Sequence, residues 1–344
     1  MSGNEHEGRA GPVGGLSPVT PGLLRWGIIG CGDVTEVKSG PAFSRVPGSS
    51  ISVVMRRDGA KARDYASRHG VPRWTTDADE VIEAEDVDAV YVATPPASHA
   101  EYTLGAASAG KPVYVEKPMA RTLREGEAMV DACAAAGVPL YVAYYRRALP
   151  RFEFVRRCLS DGTIGTPTLV QAELRWRAPV DSHRAGWRWD PEVAGDGLLL
   201  DLGSHGLDLL DHWFGPIDAV NGFSTTRLPW SRVTDEVVGS FRFQSGVLGV
   251  ASWGFAGARP SDLITVTGTG GTLSVPLFEE GPVRVTDASG TVTEHGIAHP
   301  KHVQEPLIAT VVDELLGRAG PAGRCPSTGA SALRTQAVLE RLLQ

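Results

Sequence analysis

The sequence predicts an α/β protein in two parts. The first is an N-terminal doubly wound parallel sheet, and the second is an α+β domain built on a largely antiparallel open sheet. Three observations predict this. From 23 to 143, short apolar runs alternate with amphipathic stretches, as in a sheet covered on both faces. The first run, Trp26-Gly27-Ile28-Ile29, breaks into Gly30-Cys31-Gly32-Asp33-Val34-Thr35, a glycine turn opening a helix. After Tyr144 the alternation stops, and 219–293 reads as strand after strand with Gly-rich turns.

In the first part, Leu24–Ile29, Ile51–Met55, Ala89–Ala93, Val113–Glu116 and Leu140–Ala143 read as strands. Each is four to six residues long, rich in Val, Ile or Tyr, and bounded by Gly or Pro. Helices are expected near 33–45, 59–69, 77–84, 98–109 and 122–136. Ser98-x-x-Glu101 and Thr122-x-x-Glu125 have the form of capping boxes, and Gly110 and Gly137 stand at C-terminal cap positions. In the second part, Phe152–Ser160 reads as a helix and Thr168–Trp176 as a strand. A Trp- and Pro-rich loop covers about 177–196, and a helix is expected from about 198 to 213. Further strands are expected at Gly239–Phe243, Val247–Phe255, Leu263–Gly268 and Thr272–Pro276, and closing helices at Pro306–Leu316 and Ala330–Leu343. The domain boundaries read from this pattern are 23–145 and 146–344, after a Gly-, Pro- and Ser-rich leader over 1–22 expected to be disordered.

The 344 residues suffice for two ordinary domains, and 42% hydrophobic with 21% charged residues fits a sizeable core. A net charge of −7 argues against a general nucleic-acid binder. No apolar run reaches bilayer-spanning length, so no membrane partner is expected. The four cysteines (Cys31, Cys133, Cys158, Cys325) are scattered, which suggests reduced thiols and a cytoplasmic setting.

The glycine turn is the first chemical signal. Gly30 permits the tight turn, and Gly32 leaves room for a pyrophosphate. Asp33 and Val34 open the helix whose N–H groups would face that pyrophosphate. Thr35 stands where a third glycine would allow close strand–helix packing. Arg56 and Arg57 follow the second strand, where an arginine accommodates a ribose 2′-phosphate, so NADP is favoured. Asp58 could still meet a ribose hydroxyl, which keeps NAD open, and solvated surface arginines are the plainer reading. Thr94 and Pro95 end another strand, with Pro96 beyond them and His99 in the next helical turn. Such strand ends line a ligand crevice, though a simple turn and cap would look the same. Glu116-Lys117-Pro118 ends a third. A lysine at that rim can hydrogen-bond a substrate oxygen and stabilise a developing alkoxide.

A second group lies at Asp201 and His205, four apart and so expected on one helix face, with Asp208 and His212 extending the stripe. A histidine beside a carboxylate suits proton transfer near neutral pH. The run carries no recognised metalloenzyme signature, so no metal is expected. Trp187 and Arg188, in Trp187-Arg188-Trp189-Asp190-Pro191, could stack on and hydrogen-bond a sugar, or pack structurally. Tyr144 and Arg146, in Tyr144-Tyr145-Arg146-Arg147, are candidates for a substrate wall or an interdomain hinge.

From Leu24 to the C-terminus the chain resembles the glucose-fructose oxidoreductase/inositol dehydrogenase/rhizopine-catabolism (Gfo/Idh/MocA) family. The resemblance rests on Glu116-Lys117-Pro118, on Asp201-x-x-x-His205, on Ala93-Thr94-Pro95-Pro96-Ala97-Ser98-His99, and on the tail Ser327-Thr328-Gly329-Ala330 with Ala332-Leu333-Arg334-Thr335. It implies a Rossmann domain followed by a domain whose open sheet makes homo-oligomer contacts, as dimer or tetramer. It also implies that Lys117 assists at the reacting oxygen, that His205 is general acid/base, and that Asp201 supports His205. The chain departs from the family at Gly195-Asp196-Gly197, where three glycines are expected. The expected activity is hydride transfer between NADP or NAD and a secondary alcohol or ketone of a sugar, polyol or related cyclic compound. The alternatives are a non-catalytic cofactor-sensing regulator or partner protein, and an enzyme that retains its cofactor while oxidising and re-reducing one sugar carbon.

Overall fold

Six short strands form an all-parallel sheet in the order β3-β2-β1-β4-β5-β6. They are β1 (Leu24–Ile29), β2 (Ser49–Met55), β3 (Arg73–Thr75), β4 (Ala89–Val92), β5 (Val113–Val115) and β6 (Leu140–Val142). The structure, a computed structural model, describes residues 22–177, 179, 181, 186–320 and 323–344. The leader expected at 1–22 lies, Gly22 apart, outside the described residues. Alternate strand residues feed two cores. Trp26, Ile28, Tyr91, Tyr114 and Tyr141 point to one face, and Ile29, Val53, Val90, Val92 and Val115 to the other. The first face is aromatic, with Phe43 against Trp26 at 4.9 Å and Tyr91 stacked on Tyr114 at 5.2 Å between ring centroids.

Helices α1 (Asp33–Val37), α2 (Gly40–Arg45), α3 (Gly59–His69), α4 (Asp79–Ile82), α5 (His99–Ser108) and α6 (Leu123–Ala136) cover this sheet. The helix expected at 33–45 is broken in two. Pro41 opens α2, and Gly40 passes so close to Thr35 and Tyr65 that a Cβ there would sit 2.2 Å from both the Thr35 carbonyl and the Tyr65 hydroxyl oxygen. Gly40 thus provides the close approach that Thr35 cannot. The capping boxes differ from expectation. Ser98 makes no side-chain cap, since its hydroxyl donates to Thr94 Oγ1 (2.8 Å). Thr122 Oγ1 does accept from the Glu125 amide (3.2 Å), but the Glu125 carboxylate turns to the Arg121 amide. Gly110 and Gly137 hold the left-handed conformation expected of them.

Beyond β6 come a 3-10 turn (Tyr145–Ala148), α7 (Pro150–Ser160), β7 (Pro167–Arg177), a second 3-10 turn (Trp187–Trp189) and α8 (Pro191–Ala194). A π-type turn over Leu199–Gly203 runs into α9 (Ser204–Phe214). Seven strands follow: β8 (Ile217–Thr225), β9 (Glu236–Phe243), β10 (Leu248–Gly257), β11 (Ser261–Gly268), β12 (Gly271–Val275), β13 (Val283–Asp287) and β14 (Val292–His295). With β7 they form an eight-stranded sheet, β14-β13-β12-β11-β7-β10-β9-β8, antiparallel except where β7 meets β10. The last helices, α10 (Glu305–Leu315) and α11 (Gly329–Leu342), close the chain. Leu307 and Ile308 of α10 join the aromatic core of the first sheet. Ser327 pairs with Val142 through the Val142 amide (3.1 Å) and the Ser327 hydroxyl (2.7 Å), so the segment before α11 is stitched to β6. Among the described residues no helix is long and apolar enough to cross a membrane.

Candidate active site

The strand order reverses between β1 and β4, and a parallel sheet opens a crevice at the carboxyl ends of its strands there. A cleft of about 420 Å³ lies at that point. Gly32, Asp33 and Val34 wall it after β1, Thr94 and Pro95 after β4, and Glu116 and Lys117 after β5. The second part of the chain supplies Tyr145, Trp187, Arg188 and Asp201 on the facing side.

The glycine turn fits a dinucleotide. Gly30 has φ +97°, and a Cβ there would meet Thr94 at 2.7 Å. A Cβ on Gly32 would meet nothing nearer than the Gly30 carbonyl at 4.0 Å, so the space above it is open to a bound group. The Asp33 and Val34 amides at the start of α1 are left for a pyrophosphate oxygen, while the Thr35 amide donates to the Gly32 carbonyl at 3.0 Å. Thr35 is buried, and its hydroxyl donates to the Gly32 carbonyl at 2.7 Å, fixing the turn from behind. Arg56 lines the cleft with Nη1 donating to the Cys31 carbonyl at 3.0 Å, whereas Arg57 is exposed and off the wall. Asp58 caps α3, accepting from the Lys61 amide at 3.2 Å.

His99 does not reach the cleft. It is fully buried, with Nδ1 3.0 Å from the Pro118 carbonyl and Nε2 2.7 Å from the Thr94 carbonyl, and burial pushes its pKa down. It ties together the two strand-end loops that carry Thr94 and Lys117. The reason is register: the first turn of α5 points His99 inward between the loops.

Lys117 and Asp201 meet across the cleft. Lys117 Nζ pairs with Asp201 Oδ1 and donates to the Asp201 carbonyl at 2.8 Å. Arg188 Nε donates to Asp201 Oδ2 at 2.6 Å. Burial alone would raise the Asp201 pKa, but the Lys117 and Arg188 cations hold it down at about 2. Glu116 is buried and accepts from the Tyr91 hydroxyl and from Gln304 Nε2, both at 2.6 Å. Gln304 and Lys38 also line the cleft, and sequence reasoning missed both. Neither stands in a local pattern that marks it.

The expected Asp201–His205 partnership is absent. Two cations claim both Asp201 oxygens, and the π-type turn ending at Gly203 alters the helical spacing on which the pairing rested. His205 is buried beside Tyr144, Tyr145 and Phe278, off the cleft wall, and its Nδ1 has no hydrogen-bond partner. Burial, together with Arg146, Lys117 and Lys38, pushes its pKa well below the usual histidine value. Asp208 and His212 do not pair either. Asp208 takes Arg147 (2.7 Å), and His212 lies 3.5 Å from Glu153.

Tyr144 and Arg146, expected on the substrate wall, also lie behind it. Tyr144 is buried edge-on to His205, and Arg146 is enclosed between Tyr145 and Phe278. The intervening Tyr145 lines the cleft instead, because the 3-10 turn points that side chain forward. Trp187 and Arg188 stand on the wall, with the guanidinium 4.5 Å from the indole centroid. Trp189 is structural, packed on Trp230 at 4.9 Å. Asp196 is away from the cleft, and burial raises its pKa.

Comparison with known proteins agrees with this arrangement. Residues 24–144 match the model of the oxidoreductase family with an NAD-binding Rossmann fold, and residues 152–274 match the GFO/IDH/MocA C-terminal domain. The chain is 35% identical over 298 residues to Oxidoreductase P35 of Formosa agariphila, covering 85% of this chain and 91% of that one. It is 33% identical to the 1,5-anhydro-D-fructose reductase of Ensifer adhaerens over 253 residues, 73% of this chain and 75% of the relative. Among solved structures, a levoglucosan dehydrogenase in complex with NADH and levoglucosan superposes with a TM-score of 0.80 at 25% identity, covering 93% of this chain and 96% of that one. Both halves of the chain thus match one family: the protein is an oxidoreductase of the Gfo/Idh/MocA family.

Proposed function

We propose that the enzyme is an NADP-preferring dehydrogenase or reductase acting on a secondary alcohol or ketone of a sugar, polyol or related cyclic compound. One observation carries this reading: Lys117 from the first sheet and Asp201 from the second part meet at one end of a cleft whose other end is the glycine turn. The bound cofactor supplies the hydride acceptor or donor. Lys117 holds its ammonium where a substrate oxygen would gain negative charge, and Asp201 holds Lys117 there. Trp187 offers an apolar face and Arg188 hydrogen-bond donors to a polyhydroxylated ligand. The names of the relatives, an anhydrofructose reductase and a levoglucosan dehydrogenase, point to the same substrate class.

NADP is supported by Arg56 at the cleft, Arg57 beside it, and an Asp58 already engaged as a helix cap. A homo-oligomer is supported by the outer face of the eight-stranded sheet, where Phe223 is 83% exposed beside Val238, Val250 and Leu263. Four free, buried cysteines support a cytoplasmic location. The test follows nicotinamide absorbance with sugars and polyols, using NAD and NADP in turn. Cofactor binding without turnover on any member of the panel would refute the enzyme reading. The double variant Arg56→Ala/Arg57→Ala should raise the KM for NADP at least tenfold and leave NAD nearly unchanged. An equal effect on both cofactors would refute the preference.

A further inference from the structure

The row of β7 side chains that fills the core runs on past it. Val170 and Leu174 are buried and Ala172 packs against the same core. Trp176, next in that alternation, ends the row 43% exposed. The indole is not isolated. Phe278 meets it edge-on at 5.8 Å between centroids, and the Phe278 ring also lies 5.6 Å from that of His205, the expected general acid/base. His205 in turn stands 5.3 Å from the ring of Tyr145, which lines the cleft. Ring by ring, an aromatic surface therefore leads from the cleft past His205 to an exposed tryptophan.

Phe278 is held in place from behind. Asp262 of β11 pairs in register with Leu174 of β7, so both side chains point to the core face. The Asp262 carboxylate accepts from three successive amides of the loop after β12: Leu277 at 2.8 Å, Phe278 at 2.5 Å and Glu279 at 2.8 Å. Arg146 Nε donates to the Leu277 carbonyl at 3.1 Å, and its guanidinium lies 4.2 Å from the Phe278 centroid. Arg151 Nη1 donates to the Glu279 carbonyl at 2.9 Å. Each of these bonds has an ionised partner, which makes it about twice as strong as a neutral one. The loop thus presents the Phe278 ring in one fixed position.

We propose that Trp176, set by Phe278, is a platform for the carbon face of a ring-closed sugar, and that it selects a pyranose-type substrate over an open-chain polyol. The proposal rests on the dehydrogenase reading above, with His205 exchanging the substrate proton, and narrows its substrate class. A pyranose ring carries a patch of C–H bonds bordered by hydroxyls. An indole covers such a patch and leaves the hydroxyls to polar groups, which Lys117 and Arg188 supply on the cleft wall. A closed ring is already rigid when it lies on the platform. An open chain has no fixed C–H face and must give up rotational freedom at each bond it orders. Asp262 is a positioning residue, which acts on the substrate through Phe278 and Trp176.

The test measures kcat/KM by nicotinamide absorbance on the ring-locked methyl pyranosides of glucose, galactose and mannose, and on the matching open-chain glucitol, galactitol and mannitol. Wild type is compared with Trp176→Ala, Trp176→Phe and Asp262→Asn. Wild type should favour the best pyranoside over its alditol by about tenfold. Trp176→Ala should remove about tenfold in kcat/KM for the pyranoside, mostly through KM, and leave the alditol within about threefold. Trp176→Phe should restore most of the loss. Asp262→Asn puts a donor against one of the three amides, and should shift the ring preference in the same direction by about threefold. A role in folding alone would move both substrate sets together, and the Trp176 variants carry the test if Asp262→Asn does not fold. The proposal is overturned if wild type turns over alditols as well as pyranosides, or if Trp176→Ala lowers both sets alike or neither. Wild type inactive on both sets would remove the dehydrogenase reading, and this proposal with it. An active wild type without the ring preference removes this proposal alone.

Discussion

Replacing Asp201 by Asn tests the contact on which the site turns. The Asp201 side chain is 9% exposed, and each carboxylate oxygen faces a cation, Lys117 or Arg188. Its pKa falls from 3.8 to about 2. At about 1.4 kcal/mol per tenfold change in proton affinity, that drop corresponds to roughly 2 kcal/mol of folding stability. Because the folded pKa is depressed, the stabilisation is complete above pH 3.8 and disappears as pH falls through 2. Asp201→Asn should therefore lose roughly 2 kcal/mol in urea unfolding at pH 7, and the same at pH 5. Turnover should fall about a hundredfold as Lys117 loses its ionic anchor, while the untouched glycine turn keeps the cofactor Kd within about threefold. A variant as stable as wild type at pH 7, or a deficit that closes between pH 7 and 5, would refute the reasoning.

The glycine turn separates fold from binding. Gly32→Ala should leave stability within about 0.5 kcal/mol, since its Cβ would meet open space, yet weaken cofactor binding at least tenfold by calorimetry. Gly30→Ala, at φ +97° and against Thr94, should instead lower stability by about 1–3 kcal/mol; an unchanged melting curve would contradict the strain. Arg147→Met leaves Asp208 without its buried partner and Asp211 with Arg334 alone, and should cost about 3–5 kcal/mol in urea unfolding; a loss below about 1 kcal/mol would show the network to be dispensable. If copies pair through the exposed sheet face as proposed, wild type should sediment as an oligomer and Phe223→Asp as a monomer with an unchanged melting temperature; a monomeric wild type, or an unchanged profile in the variant, would refute that pairing.

The parallel strands were legible because runs such as Ala89–Val92 are apolar at successive positions and need cover on both faces. Strand β3 was not, since Arg73-Trp74-Thr75 is short, half-exposed and without alternation. The break between α1 and α2 could have been read from Gly40-Pro41. Lys117 and Asp201 were found from their places at a strand end and on a helix. Gln304 and Lys38 were harder to find, because they reach the cleft only through tertiary folding, as does the pairing of Arg188 with Asp201. Reading His205 with Asp201 assumed regular helical spacing, which the π-type turn removes. The choice of Tyr144 and Arg146 over Tyr145 failed for a similar reason, because a 3-10 turn decides which of adjacent side chains faces inward.

The seam between Val142 and Ser327 joins residues far apart in the order of synthesis. A ribosome that has just released the sixth strand has made every part of the cofactor cradle. The aromatic side of that sheet still lacks Leu307 and Ile308, and the Tyr114 hydroxyl still lacks Gln304 Oε1, which accepts from it at 3.0 Å. The nascent protein therefore carries an uncovered greasy surface for nearly half its translation. A chain cut short before Gln304 would present that surface to chaperones and proteases, however intact its nucleotide fingerprint.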